Sequence, residues 1–388
     1  MNKNVQIAIV GAGPGGLTLA RILHLHGIPA TVFEREAFSA ARSQGGSLDM
    51  HADTGQFAIQ TAGLTTEFKR IARYEDQEGR IYDKHGKLRF LDVDTSAKDR
   101  PEVDRGHLRQ MLLDSLPQSV VQWNHELSSA TQNDDGTFEL VFGNGNRKSF
   151  DLVVGADGAW SRIRPLVSPA RPIYSGVMFV ELGIDDADKR YTELAQLVGR
   201  GLMFALGDSK TLMGHRDANA HLGIYTAMRV PEDWVQTSGL DWSSNEAAKA
   251  SLAAHFADWS KELLQLIHKS SANGEKIAPR PIYALPVGHR WPHQSGVTLI
   301  GDAAHLMSPF GGDGANLAMR DATDLALALI EESDWKTAIQ RAEVAMWTRA
   351  EPAAEAASDA IQDTFSEDGL AHTLQVMEEH SGVQRLSS

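Results

Sequence analysis

The stretch that most constrains this chain is Val5-Gln-Ile-Ala-Ile-Val10, followed by Gly11-Ala-Gly13-Pro-Gly-Gly16 and an apolar run from Leu17. A near-continuous apolar run of this length reads as a strand buried on both faces of a parallel sheet. The three glycines stand at the G-x-G-x-x-G spacing. There the first allows a tight turn, the second lets a pyrophosphate approach the backbone, and the third lets helix and strand pack closely. The next helix offers unpaired N–H groups and a positive dipole end to phosphates. A second strand, Ala30-Thr-Val-Phe33, ends at Glu34, 18 residues past Gly16. That is the distance at which a carboxylate meets a ribose 2′-hydroxyl. An acid there disfavours a 2′-phosphate, so the tightly held nucleotide should be NAD or FAD rather than NADP. The turn does not choose between those two.

With 388 residues the chain is long enough for two domains and a large core. A net charge of −14 argues against a nucleic-acid partner. The absence of cysteine excludes disulfides, thiolate metal sites, iron–sulfur clusters and cysteine nucleophiles. It is compatible with a reducing compartment. The first strand begins within five residues of Met1, so no signal peptide is expected. No apolar run reaches the roughly 18 residues of a membrane span. The expectation is a cytoplasmic, monomeric protein without membrane contact.

Along the chain, two strands are expected near 79–82 and 87–90, an amphipathic helix over 105–116, and a hairpin at Gly143-Asn-Gly-Asn146. Residues 171–270 change texture and read as an antiparallel sheet with one or two helices after it. A buried strand at 297–300 and an apolar helix over 315–330 restore the first pattern. An alanine-rich helix over 338–361 comes next, expected to kink near Pro352. The architecture expected is α/β: a three-layer Rossmann-type nucleotide domain, an inserted and mostly antiparallel substrate sheet, and a long C-terminal helix. The nucleotide domain would comprise residues 1–73, 105–170 and 273–334. The substrate part would comprise 74–104 and 171–272, and the helical tail 335–388.

Two further motifs carry chemistry. Asp151-Leu-Val-Val-Gly-Ala-Asp157-Gly158 is a buried strand ending at an Asp-Gly turn, and Ser161, three residues before Arg164, can cap the next helix. Val297-Thr-Leu-Ile-Gly301-Asp302-Ala-Ala-His305 sets a carboxylate just beyond another buried strand, where open α/β sheets place ligands. It leads into Ser308-Pro-Phe-Gly-Gly-Asp-Gly314-Ala-Asn316, a second glycine-rich helix start suited to partial negative charge. His24 and His26 do not share a helix face, and His289 and His293 lack a third ligand, so no metal site is expected. His305 reads more simply as a packed residue than as a catalytic one.

These three motifs, in this order and at these spacings, resemble the class A flavoprotein monooxygenases, the p-hydroxybenzoate-hydroxylase-like group. Within that group the chain is most similar to the tetracycline-inactivating monooxygenases. The matching stretches are Glu34-Arg35, Arg42 with Gly45-Gly46-Ser-Leu-Asp49-Met-His51, Glu102-Val-Asp-Arg105-Gly-His-Leu-Arg109, and Gly301 to Met307 with Pro309-Phe310. The resemblance implies noncovalent FAD, NADPH and O₂, and roles by position. Gly11, Gly13 and Gly16 would take the pyrophosphate, with Glu34 on the adenosine ribose and Arg35 near the adenine. Asp49, Arg105, Arg109, Asp157, Gly158, Gly301 and Asp302 would be further FAD contacts. Pro309, Gly312, Gly314, Ala315 and Asn316 would cradle the isoalloxazine, and Arg42 would receive NADPH. Gln196, Met213, His221, Gly223 and Phe310 would border the substrate.

The chain also departs from the tetracycline enzymes. Asp313 stands where they carry Gln, and Gly201, with Arg200 one place off, stands where they carry a substrate-gripping Arg. The activity implied is NADPH-driven hydroxylation of an aromatic or polycyclic, enol-bearing small molecule through a flavin C4a-hydroperoxide, tetracycline being one such molecule. In that cycle the cofactor does the hard chemistry, so no side chain is expected as a catalytic acid or base. Two rival readings are a flavin-dependent reductase or dehydrogenase on the same fold, and a non-catalytic flavin-binding protein.

Overall fold

Five short strands, apolar enough to be covered on both faces, pair in parallel in the order Val297–Leu299, Leu152–Gly155, Ile7–Val10, Ala30–Phe33, Val121–Gln122. The computed structural model in which they are seen describes residues 5–39, 41, 46–74, 78–93, 100–272 and 276–381. Strand alternation sends Ile7, Ile9 and Val154 to one side, where they pack with helices Pro14–Leu25 and Gly314–Glu331. It sends Ala8, Val10, Phe33 and Val153 to the other side. That side is covered by a three-stranded antiparallel sheet, Leu127–Gln132, Phe138–Phe142 and Arg147–Phe150, through Phe138, Leu140 and Phe142. The result is a helix layer, a parallel sheet and an antiparallel sheet. Each fully buried Val, Leu or Ile contributes about 1.5–3 kcal/mol.

The second sheet has eight strands and is antiparallel except for one pair. Its centre runs Ile173–Ile184, Leu222–Arg229, Lys210–Arg216, Leu202–Gly207. Strand Gly79–Asp83 then joins Leu202–Gly207 in parallel and pairs with Leu88–Asp92. One face, through Met178, Val180, Leu212 and Ile224, is covered by helices Thr192–Val198, Asn245–His255 and Lys261–His268. Ser244 and Ser260 cap the last two helices through their hydroxyl oxygens.

The other face, called the front face below, carries Val177, Phe179, Met213, Tyr225 and Ala227. It packs on Phe310 and on Ile361 and Phe365 at the end of helix Trp335–Thr364. That helix continues as one element through Pro352. The expected long C-terminal helix is present, and a second, Gly369–Ser381, comes after it. Leu374 of the second helix packs on Ile81, Phe90 and Leu206 of the large sheet. The reason is amphipathic: Leu370, Leu374 and Met377 recur at three- and four-residue spacing. Among the described residues no helix is long and apolar enough to cross a membrane.

Candidate active site

Because the five strands are parallel, their carboxyl ends lie on one edge. Gly11, Glu34, Asp157 and Asp302 all fall just beyond those ends. Strand order runs one way from Ile7–Val10 to Val121–Gln122 and the other way to Val297–Leu299. The crevice at such a reversal is where ligands bind in open α/β sheets. The glycine turn shows why each position is glycine. A Cβ on Gly11, at φ +110°, would come within 2.2 Å of the Ala156 carbonyl oxygen, and one on Gly16 within 2.1 Å of that of Gly11. A Cβ on Gly13 would meet nothing within 4 Å. Gly11 and Gly16 are therefore filled by protein, and Gly13 faces open space. Gly15 adds a contact the spacing did not announce, since a Cβ there would lie 2.9 Å from the Ala318 carbonyl of the neighbouring helix.

Side chains brace this edge. Glu34 is buried, and its carboxylate accepts from the Ala12 N–H at 2.8 Å and the Glu36 N–H at 3.0 Å. Arg109 is buried, donates from Nε to the Ala12 carbonyl and from Nη1 to that of Ser39, and pairs with Glu36 at 3.0 Å. It holds the glycine turn against the loop after Glu34. Arg35 is exposed beside it. Asp157 Oδ2 accepts from the Arg162 N–H at 2.7 Å, while Oδ1 is buried with no hydrogen-bond partner among the described residues. Burial pushes the Asp157 carboxyl above the usual carboxylate range. Ser161 accepts from the Ile163 and Arg164 N–H groups. Arg164 donates to the carbonyls of Ala159, Asp302 and Ala303, tying the Asp-Gly and Gly-Asp motifs together.

Asp302 is exposed and lies 4.0 Å from where a Gly314 Cβ would be. His305 is buried on Asp321 at 2.6 Å, and Asp321 also accepts from the Gly301 N–H and pairs with Arg349. His305 therefore sits beneath the motif, not in the crevice. His289 bonds Ser168 and the Ala304 carbonyl.

The Pro309 to Asn316 turn faces strand Ser47–Asp49. Asn316 donates to the Asp49 carbonyl at 2.8 Å and accepts from the His51 N–H at 3.0 Å, so its amide fastens the two segments. His51 Nε2 lies 2.9 Å from Asp49 and Nδ1 3.3 Å from Asp313. These two carboxylates, Asp313 first, raise the His51 pKa to about 9. Pro309 and Gly312 are exposed at this turn, and Ala315 is half-buried.

On the front face, register sets Glu181, Tyr225, Met213 and Phe204 in one row and Gly183, Gly223, His215 and Leu202 in the next. Phe310 packs edge-on against Phe179 at 5.7 Å and Phe365 at 5.4 Å. His215 bonds Asp217 at 3.0 Å and lies 3.6 Å from Glu102. Burial alone would lower its pKa, but the two carboxylates outweigh it and raise it to about 9. Asp217 Oδ1 also accepts from Ser47 at 2.9 Å, and a Cβ on Gly223 would come within 3.1 Å of Oδ2. Arg105 is exposed, and its charge bears on Tyr225.

Of the residues expected to border substrate, Met213, Gly223 and Phe310 are thus brought to one face. His221 is at the rim, bonded to Asp185 at 2.7 Å. The placement of Gln196 is corrected. It lies exposed on helix Thr192–Val198, and that helix covers the opposite face. Arg200 lies just past that helix, its N–H bonded to Glu78. Arg42 and Gly45 lie outside the described residues.

A family model described as an FAD binding domain matches residues 4–335. The chain belongs to this FAD-binding family. It is 35% identical over 364 residues to Monooxygenase penA of Penicillium thymicola, covering 83% of this chain and 84% of that one. In fold it is similar to HpxO of Klebsiella pneumoniae, solved with FAD and uric acid: TM-score 0.80, 20% identity, 99% of this chain and 94% of that one covered. The tetracycline destructase Tet(51) is also similar, with TM-score 0.69, 21% identity and 99% of both chains covered. The chain is an FAD-dependent monooxygenase. The reductase and the non-catalytic readings are set aside. The side chains on or against the front face that sequence reasoning did not single out are Phe179, Glu181, His215, Asp217, Tyr225 and Phe365. Period-two alternation was visible in each strand, but which side faced inward required the pairing.

Proposed function

We propose that this monooxygenase hydroxylates a small aromatic or polycyclic, enol-bearing molecule held on the front face of the large sheet, with NADPH as electron donor. The observation that carries this reading is the front face itself. Phe179, Met213, Phe310 and Phe365 form an apolar wall, and Tyr225, His215 and Asp217 form a polar end beside it. A flat ring system with a few oxygens matches such a surface. The uric acid bound by HpxO is a molecule of that shape.

The crevice residues fit FAD. Gly13 leaves open the approach that a pyrophosphate needs, and the buried Asp157 Oδ1, which has no partner among the described residues, has capacity for a donor. Glu34 would hold the adenosine ribose, Asp302 the ribityl–pyrophosphate region, and the Gly312–Gly314 turn the isoalloxazine. Arg109 positions the glycine turn. When bound, the flavin supplies O₂ activation and transfer of one oxygen atom. The chain's own residues bind, orient and exclude water. A hydroxyl on the substrate would pair with Asp217 Oδ2, whose neighbour Oδ1 is fixed by Ser47 and His215. NADPH would visit without a Rossmann domain of its own, and Arg42 is the residue proposed to meet it.

The test is NADPH oxidation against a panel of phenols, hydroxyquinolines, urate and tetracycline under ¹⁸O₂. Label in the product of at least one ring substrate, with NADPH consumption coupled to it, is expected. NADPH consumption that yields only hydrogen peroxide across the panel would remove this substrate class.

A further inference from the structure

Asp313 occupies the residue just before helix Gly314–Glu331, yet its carboxylate makes no capping hydrogen bond to that helix. A carboxylate at the start of a helix is normally drawn to the unpaired N–H groups and the positive dipole end. Here it points instead to His51 Nδ1 at 3.3 Å. The other nitrogen of His51 is held by Asp49 at 2.9 Å. Asn316 bonds both backbone groups around them, the Asp49 carbonyl and the His51 N–H, so the segment just after strand Ser47–Asp49 that carries the imidazole is fastened in place. Arg100 adds a further charge that bears on both Asp49 and His51.

We propose that His51 is a positioning residue that holds the Asp313 carboxylate off the start of helix Gly314–Glu331, keeping its first N–H groups free for the flavin ring. The inference rests on the reading that the Gly312–Gly314 turn receives the isoalloxazine. It explains how the chain tolerates an acid in that turn. A free carboxylate there would compete with the electron-rich edge of the ring for the same donors. Pairing with an imidazolium removes the competitor and neutralises its charge. With both carboxylates raising its pKa to about 9, His51 stays charged through neutral pH.

The experiment measures FAD affinity by titrating apoprotein of four variants. In His51→Gln the imidazolium is lost, Asp313 turns to the helix, and the FAD Kd should rise about tenfold, the size of a helix-terminus charge effect. In His51→Gln/Asp313→Gln the competitor is gone as well, so the Kd should return to within about threefold of wild type. Asp313→Gln alone should also stay within about threefold. A merely structural His51 would not be rescued by removing Asp313. A double variant as weak as His51→Gln, or a His51→Gln protein that binds FAD like wild type, would overturn the proposal. Gly314→Val tests the underlying reading separately. If it binds FAD like wild type, the turn does not hold the ring, and the site reading fails rather than the role of His51. Should His51→Gln fail to fold, the double variant decides: FAD affinity well below that of Asp313→Gln alone contradicts the proposal.

Discussion

The crevice at the strand ends and the front face of the large sheet are built in opposite ways. The crevice is made by backbone: Gly11 and Gly16 are filled by neighbouring carbonyls, Gly13 is open, and each motif is local in sequence. The front face is made by side chains, one or two from each of several strands and from the end of a distant helix. A backbone site is written as spacing. A side-chain face is written as alternation, and alternation acquires meaning only once strands have paired.

The largest effect that should expose this difference is Gly16→Ala. Its Cβ would lie 2.1 Å from a backbone oxygen, which cannot swing away. A loss of about 3 kcal/mol in apoprotein stability is expected, at the upper end for overpacking, read from the urea midpoint. Unaltered stability would mean that the turn is softer than its geometry implies.

Next in size is Tyr225→Phe. The ring stays and only a hydroxyl facing the front is removed, so a substrate donor or acceptor loses a partner. That costs about 1–3 kcal/mol, roughly tenfold to a hundredfold in KM. Gln196→Ala is the matched control on the covered side of the sheet, and its KM and kcat should equal those of wild type. A raised KM for Gln196→Ala with none for Tyr225→Phe would reverse the assignment of faces.

These variants also show where sequence reading stops. Glu34, Asp157 and Asp302 were found at the strand ends because a buried strand and the residue after it are contiguous. Gln196 was carried to the substrate border by resemblance and belongs to a helix on the other side of the sheet. Met213 and Phe310 were legible by resemblance, yet their neighbours Phe179 and Phe365 were not. Phe179 lies on a different strand from Met213, and Phe365 lies past the end of a C-terminal helix, so only packing joins them to that face. The pairing of His51 with Asp313 spans the chain and has no local signal.

A smaller effect concerns pH. His51 and His215 both have folded pKa values raised to about 9 from 6.5. The folded state binds those protons more tightly, so their stabilisation is fully present below about pH 6.5. It is lost as pH rises through about 9. The apoprotein Tm should therefore decline between pH 6.5 and 9, and the decline should be shallower in His215→Gln. A Tm that rises across that window would contradict the charged state of both imidazoles.

The proposed division between a backbone-made cofactor crevice and a side-chain-made substrate face is tested most directly by titrating FAD into the apoproteins of Gly13→Val and Tyr225→Phe side by side. A Cβ at residue 13 would meet no described protein atom within 4 Å, so Gly13→Val should fold like wild type. It should nevertheless bind FAD on the order of 100-fold more weakly, because the pyrophosphate loses charge-assisted bonds to the backbone. Tyr225→Phe should bind FAD with the wild-type Kd. Wild-type FAD affinity in Gly13→Val, or an equal loss in both variants, would contradict the account.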